Sequence, residues 1–241
     1  MTSAAPRREP PAWLLDELAS AGRENLDETH VSQYDTKEDA DAVTEVALCE
    51  RLGLAEDSTV VELGAGTGQF TLAVAPVCRR VVAVDVSPVM LRLLEQKVGA
   101  AGFGNVEIVQ AGFLTYEHRG EPADFVYSRF ALHHIPDAWK AIALARIHQV
   151  LRPGGIFRLW DVVYNFGPGE AEQRLEAWCS TLDGATDADG WTRADIEEHV
   201  RDEHSTFTWL LEPMAQRAGF AVEEAEYSPD GVFAKYILRR R

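Results

Sequence analysis

Between residues 58 and 163, short apolar runs rich in β-branched residues alternate with stretches whose apolar positions recur at helical spacing, the pattern of successive βα units. The runs predicted as strands cover residues 58–63, 80–85, 106–109, 124–128 and 156–160. They read as nearly continuously apolar, as strands do when crossover helices cover both faces. After the second run, Ser87 and Pro88 supply a helix N-cap and a first-turn proline, and Met90, Leu94, Val98 and Ala101 follow on one face before Gly102 breaks the pattern. Pro136 and Asp137 open another helix, with Trp139, Ile142, Ala143, Ile147 and Val150 on one side, and Pro153-Gly154-Gly155 turns the chain into the fifth strand. The expected product is an α/β fold, a doubly wound and mostly parallel sheet. Ligands of such sheets sit beyond the carboxyl ends of the strands, near the point where strand order reverses.

Two regions fall outside this rhythm. Residues 10–57 are predicted helical, with Trp13, Leu14, Leu15 and Leu18 in one apolar patch and Val43, Val46, Ala47 and Leu54 in another. Residues 164–206 are acidic, contain Gly167-Pro168-Gly169, Trp178 and Trp191, and interrupt the sheet before its last strands. A final helix is expected over residues 207–218 despite Pro213, then a hairpin of 220–227 and 232–238 joined at Ser228 to Gly231. The chain thus divides into an N-terminal helical cap, 1–57, and a main domain, 58–241, with 164–206 as a helical insertion.

Charge narrows the partners. The 241 residues carry a formal net charge of −16, unevenly spread. Residues 23–57 hold eleven Asp or Glu against three Lys or Arg, and residues 161–204 hold twelve against three. Such segments repel a phosphate backbone, so no nucleic-acid partner is expected; Arg239 to Arg241 read as a solvated basic end. No apolar run approaches the ~20 residues of a membrane span. The first residues lack the apolar core of a secretory signal, so a cytoplasmic location with a floppy start is expected. Cys49, Cys78 and Cys179 form no CxxC pair, and reduced, packed thiols are expected.

The chemistry centres on a glycine turn. Gly64, Gly66 and Gly68 follow the first strand and precede a helix, a turn that brings backbone close to a ligand and points free N–H groups at it. Asp85 ends the second strand, 21 residues after Gly64, where a carboxylate can accept both ribose hydroxyls of an adenosine. Together they indicate an adenosine-containing cofactor. The spacing is GxGxG, whereas a nicotinamide fingerprint usually reads GxGxxG.

The segments ELGAGTGQF (62–70), VVAVDVSPVML (81–91), NVEIVQAGFLTY (105–116), ADFVYSRFALHHIPD (123–137) and LRPGGIFRL (151–159) resemble, in order, the motifs of class I S-adenosylmethionine-dependent methyltransferases. The resemblance implies a seven-stranded sheet with its last strand antiparallel and S-adenosylmethionine as cofactor. It places Gly64, Ala65, Gly66 and Gly68 against the methionyl part, with Glu62 supporting the turn or the amine. Asp85 would take the ribose hydroxyls, Val86 would pack on the adenine, and Ser128 and Arg129 would line the methionine end. Relatives often carry an acid after strand three that accepts the adenine amine. Gly112 stands there in this chain, with Phe113 stacking on or walling in the ring. Tyr34, in a segment that can close over the cofactor in similar enzymes, joins the set.

The expected acceptor is a small molecule methylated at O, N or C. A hydroxyl acceptor would benefit from a general base, and His133, His134 and Asp161 are the candidates; the histidines could equally cap the Ile135-Pro136 turn, and Asp161, like Tyr164, could be an ordinary strand exit. Trp178 and Trp191 either wall a flat substrate or pack a core. The sequence separations of His133, His134 and Asp161 carry no ligand signature, so no metal is expected. The competing readings are an inactive cofactor- or partner-binding protein on the same fold and a nicotinamide-dependent oxidoreductase. Oligomeric state is not legible.

Overall fold

A computed structural model of the chain describes residues 11–22, 25–26, 31, 34–35, 40–186 and 190–241; the floppy start expected at residues 1–10 lies outside them. The sheet runs β3-β2-β1-β4-β5-β8-β7, with β1 Thr59–Leu63, β2 Arg80–Asp85, β3 Val106–Gln110, β4 Ala123–Arg129, β5 Leu151–Tyr164, β7 Phe220–Tyr227 and β8 Phe233–Arg240. β1 pairs in parallel with both β2 and β4, so strand order reverses between β1 and β4. β8 runs antiparallel between β5 and β7, as the resemblance implies for the last strand. A two-residue strand, β6 (Thr206–Phe207), pairs in parallel with the tip of β5 at Val163 and Tyr164.

Burial follows position in the sheet. Every residue of β1 is buried, whereas β3, at the edge, has none that is fully buried. Helices α1 (Ala42–Arg51), α2 (Gln69–Val74), α3 (Pro88–Ala101), α4 (Asp137–Val150) and α7 (Thr208–Arg217) flank the strands, and α5 (Ala171–Ser180) and α6 (Arg193–Asp202) belong to the insertion. The start and stop signals of α3 work as expected: the Ser87 hydroxyl accepts from Met90 N at 3.1 Å, and Gly102 ends the helix in the left-handed region at φ 73°. Buried carboxylate and guanidinium of Glu45 and Arg158 pair through two contacts, 2.7 and 2.8 Å, tying α1 to β5.

The expectation for residues 10–57 is met in part. α1 carries Val43, Val46 and Ala47 of the second patch, with Val46 buried and Val43 exposed, Leu54 is buried just beyond it, and Val31, Tyr34 and Asp35 are helical. The patch from Trp13 to Leu18 folds as turns instead. There the Asp16 carboxylate accepts from the backbone of Leu18 and Ala19, both at 3.1 Å, a local alternative to helical pairing that a pattern of apolar residues does not register. The fifth strand is also longer than predicted, because it runs through Pro153-Gly154-Gly155 and on to Tyr164. No helix among the described residues is long and apolar enough to cross a membrane.

Candidate active site

The turn between β1 and α2 lies at the switch point. Gly64, Gly66 and Gly68 all hold positive φ, at 78°, 52° and 88°. A Cβ on Gly64 would fall 2.3 Å from the Ala131 Cβ, and one on Gly68 would fall 2.1 Å from Leu94 Cδ1. A Cβ on Gly66 would meet nothing within 4 Å. Two of the glycines therefore let protein pack tightly, and the middle one borders open space. This is the fit a backbone-hugging ligand requires.

Asp85 is buried at the end of β2, where Oδ2 accepts from Gly66 N and Oδ1 from Ser87 N, each at 2.8 Å. Burial raises its pKa despite these hydrogen bonds. The carboxylate thus fixes the glycine turn while each oxygen keeps a second lone pair. Glu62, buried within β1, accepts from the Thr71 hydroxyl; burial, with the nearby Asp85, pushes its pKa up to about 8. Val86 is half-buried, and its carbonyl accepts from Gln110 Nε2 at 3.3 Å. Ser128 is fully buried on β4, with no hydrogen bond to its hydroxyl. The Arg129 guanidinium covers the rings of Phe130 and Trp160, 4.2 and 4.6 Å from their centroids.

The N-terminal segment straps this end of the sheet. The Ser87 hydroxyl donates to Asn25 O at 2.5 Å, Asp35 accepts from the hydroxyl of Thr67 and pairs with Lys97, and Ala40 N donates to Gln69 Oε1 at 2.9 Å. Tyr34 is half-buried beside Asp35. Sequence reading missed Glu17. Its carboxylate accepts from Leu114 N at 3.1 Å and from Thr115 Oγ1 at 3.2 Å, and a Cβ built on Gly112 would lie 2.4 Å from it. A carboxylate thus stands beside Gly112, though it comes from 95 residues earlier in the chain. Phe113 is buried in the main core with Val84 and Leu114.

The expected bases are drawn together. His133 Nδ1 lies 2.5 Å from Asp161 Oδ1, and its Nε2 lies 3.0 Å from Glu203 Oε2. Burial alone would lower the His133 pKa, but the charge and hydrogen bond of Asp161, with Glu203, push it up to about 10. An imidazolium with both nitrogens engaged does not accept a proton at neutral pH. His134 is the reverse: burial, then the charge of His133, hold it down to about 3. Asp161 is buried rather than facing an open cleft, and accepts from Leu132 N and Val162 N at 2.8 Å as well as from His133. Tyr164 is buried too, 5.3 Å ring to ring from Phe166. Trp178 packs edge-on to His199 and Phe233, holding the insertion to the sheet; Trp191 is half-buried. Glu203 and His199 carry no motif, and only the fold brings them to the histidine pair.

Phe130, directly after β4, holds φ 47°, a strained conformation for an aromatic residue. With Trp160, Pro229 and Phe233 it lines an apolar groove rimmed by Glu226 and Lys235. A larger cavity, bordered by Thr59, Arg80 and Val106, opens at the amino ends of the strands, away from the glycine turn.

A glycine turn at the switch point, with a buried strand-end acid bonded to it, is the arrangement of Rossmann-like folds. The chain matches a family model described as a methyltransferase domain over residues 60–155. An uncharacterized methyltransferase of Geobacillus kaustophilus is 26% identical over 170 residues, 65% of this chain and 77% of the relative. Among solved structures, the N-methyltransferase NodS of Bradyrhizobium japonicum, in complex with S-adenosylhomocysteine, superposes with a TM-score of 0.57 at 16% identity, covering 83% of this chain and 86% of that one. Phosphoethanolamine N-methyltransferase 2 of Haemonchus contortus gives 0.69 at 15% identity, covering 94% and 60%. Residues 60–155 thus match a methyltransferase domain, on a fold shared with solved S-adenosylmethionine-dependent methyltransferases.

Proposed function

We propose that the chain methylates a small-molecule acceptor. The observation that carries this reading is enclosure. The carboxyl edge of the sheet is strapped on one side by the N-terminal segment through Glu17, Asn25 and Asp35, and on the other by the insertion through Glu203 and Trp178. Such a walled site favours a compact ligand over a polymer. Two fold neighbours are N-methyltransferases, one of them solved in complex with phosphomonomethylethanolamine, which agrees with a small acceptor.

S-adenosylmethionine supplies an electrophilic methyl group on a sulfonium, so the work left to the protein is alignment and exclusion of water. In this reading Gly64, Ala65, Gly66 and Gly68 cradle the methionyl part, Asp85 accepts the ribose hydroxyls, and Val86 flanks the adenine. Glu17 supplies beside Gly112 the carboxylate that Gly112 cannot, as acceptor for the adenine amine. Glu62 faces the amino-acid end, with Ser128 and Arg129 contributing main-chain groups. Tyr34 closes over the site from the N-terminal strap. The acceptor approaches along the groove of Phe130 and Trp160, which begins one residue from Ala131, the residue packed on Gly64. His133 and Asp161 position the turn after β4, and neither takes the acceptor's proton.

Calorimetric titration with S-adenosylhomocysteine, followed by a methyl-transfer assay over a panel of small amines, phenols and carbon acids, tests the proposal. Binding with turnover of one acceptor class supports it. Binding without turnover on any acceptor supports the inactive binder instead.

A further inference from the structure

The histidines at the seam between sheet and insertion have no part in methyl transfer as read above. We propose that His133, His134 and Glu203 form a binding site for a divalent transition-metal cation of the zinc class.

The donors converge. One nitrogen of each histidine and a carboxylate oxygen of Glu203 all lie within 4.8 Å of one another. His133 Nε2 is 3.0 Å from Glu203 Oε2, and His134 Nδ1 is 3.9 Å from the other oxygen, Oε1; a cation would take the place of the proton on His133 Nε2, which is released to solvent. Tetrahedral zinc with bonds of about 2.0–2.1 Å holds its ligand atoms roughly 3.4 Å apart, a spacing these two distances bracket.

Each donor is also backed. The other nitrogen of His133 rests on Asp161 at 2.5 Å, and Asp161 is fixed in turn by Leu132 N and Val162 N. His134 Nε2 lies 3.4 Å from the side-chain amide of Asn25, whose oxygen can accept the Nε2 proton when Nδ1 faces the cation. Glu203 Oε2 is met by His199 Nδ1 at 2.5 Å, and His199 Nε2 lies 2.8 Å from Ser205 Oγ. Carboxylates and polar groups behind ligating imidazoles are the outer layer that sets tautomer and ring orientation in metal sites. His134 Nδ1, which faces the cluster, is sealed from solvent and has no hydrogen-bond partner, a costly arrangement that a bound cation would resolve.

The backbone holds the two halves in register. His204 N donates to His133 O at 2.9 Å, and buried Lys140 bridges Ile135 O, at 2.6 Å, to His204 O. Two imidazoles and one carboxylate suit zinc rather than the all-oxygen preference of magnesium or calcium. Three protein ligands leave a position for water. A cation here would join the turn after β4 to the end of α6, pinning the insertion over the sheet. The inference is independent of the acceptor class.

The test uses the full chain stripped of metal by a chelator, titrated calorimetrically with zinc and separately with magnesium, and repeated with cobalt(II) to record its visible absorption. The expected result is one equivalent of zinc, no magnesium uptake, and a cobalt band from a nitrogen- and oxygen-ligated site. His134→Ala and Glu203→Gln should each weaken zinc binding by about tenfold or more, and His199→Gln, which acts through Glu203, by about 10- to 100-fold. His118→Ala, outside the cluster, should bind as the wild type. Circular dichroism of each variant separates lost binding from lost fold, and because the substitutions fall on separate segments, one folded variant suffices. Absence of stoichiometric zinc binding by the wild type, or unchanged binding in every folded ligand variant, would overturn the proposal.

Discussion

The Glu17 carboxylate occupies the place into which a side chain on Gly112 would project, 2.4 Å from the ideal Cβ position. One residue is small because the other, from the far end of the chain, fills its space. Glu17→Ala leaves Leu114 N buried without this acceptor and should cost about 1–3 kcal/mol in urea denaturation. Gly112→Ala should push the N-terminal strap off the sheet. The stacked rings of Trp13 and Trp139, with centroids 6.4 Å apart, make intrinsic fluorescence the reporter. Unchanged emission and stability in both variants would show that the strap does not depend on this contact.

The glycines of the turn should separate by function. Gly66→Ala pays only for its left-handed backbone, roughly 1–2 kcal/mol, since its methyl meets no atom. Its methyl enters the space assigned to the cofactor, so S-adenosylhomocysteine affinity should fall steeply while the protein stays folded. Gly68→Ala bears the same backbone cost and also drives a methyl into Leu94, adding about 1–3 kcal/mol. Leu94→Ala in the same chain should recover part of that second cost, as read from paired denaturation curves.

Asp85→Asn keeps the size of the side chain and removes its charge. Hydrogen bonds to a charged acceptor contribute about 1.5–3 kcal/mol each, so nucleoside binding should weaken about ten- to a hundred-fold. Calorimetry with S-adenosylhomocysteine and with adenosine alone should show the same loss, because the contact is to the sugar. A loss confined to S-adenosylhomocysteine would place Asp85 elsewhere on the ligand.

Glu62 predicts a pH dependence. Its folded pKa is raised from 4.5 to about 8, so the folded state binds the proton more tightly than the unfolded chain. That contribution is full below about pH 4.5 and is lost as pH rises towards 8, at most on the order of 5 kcal/mol in all. Glu62→Gln mimics the protonated form and should flatten this part of the stability profile between pH 5 and 8. Parallel profiles for the two proteins would refute the assignment.

How much of this was legible in the sequence depended on how local the cause was. The glycine turn, Asp85, the Ser87 cap and the closing hairpin all arise from neighbours within a few residues, and the structure places each where the pattern did. Glu17, His199 and Glu203 bear no local mark. Glu17 looks like one more surface acid until the fold lays it against Leu114, 97 residues away. His133 was legible as a residue at the ligand side, but its charge state was not, because Asp161 and Glu203 reach it from two other segments. The turns at residues 11–22 were misread because the pattern of apolar positions does not count the Asp16 hydrogen bonds.

The pairing of Val163 and Tyr164 with Thr206 and Phe207 means that the excursion through α5 and α6 leaves and rejoins the sheet at a single doorway. Between those two points the excursion is held to the sheet by Trp178 against Phe233 and by Glu203 against His133. The sheet is thereby complete on either side of the excursion, and the two-residue strand β6 closes it.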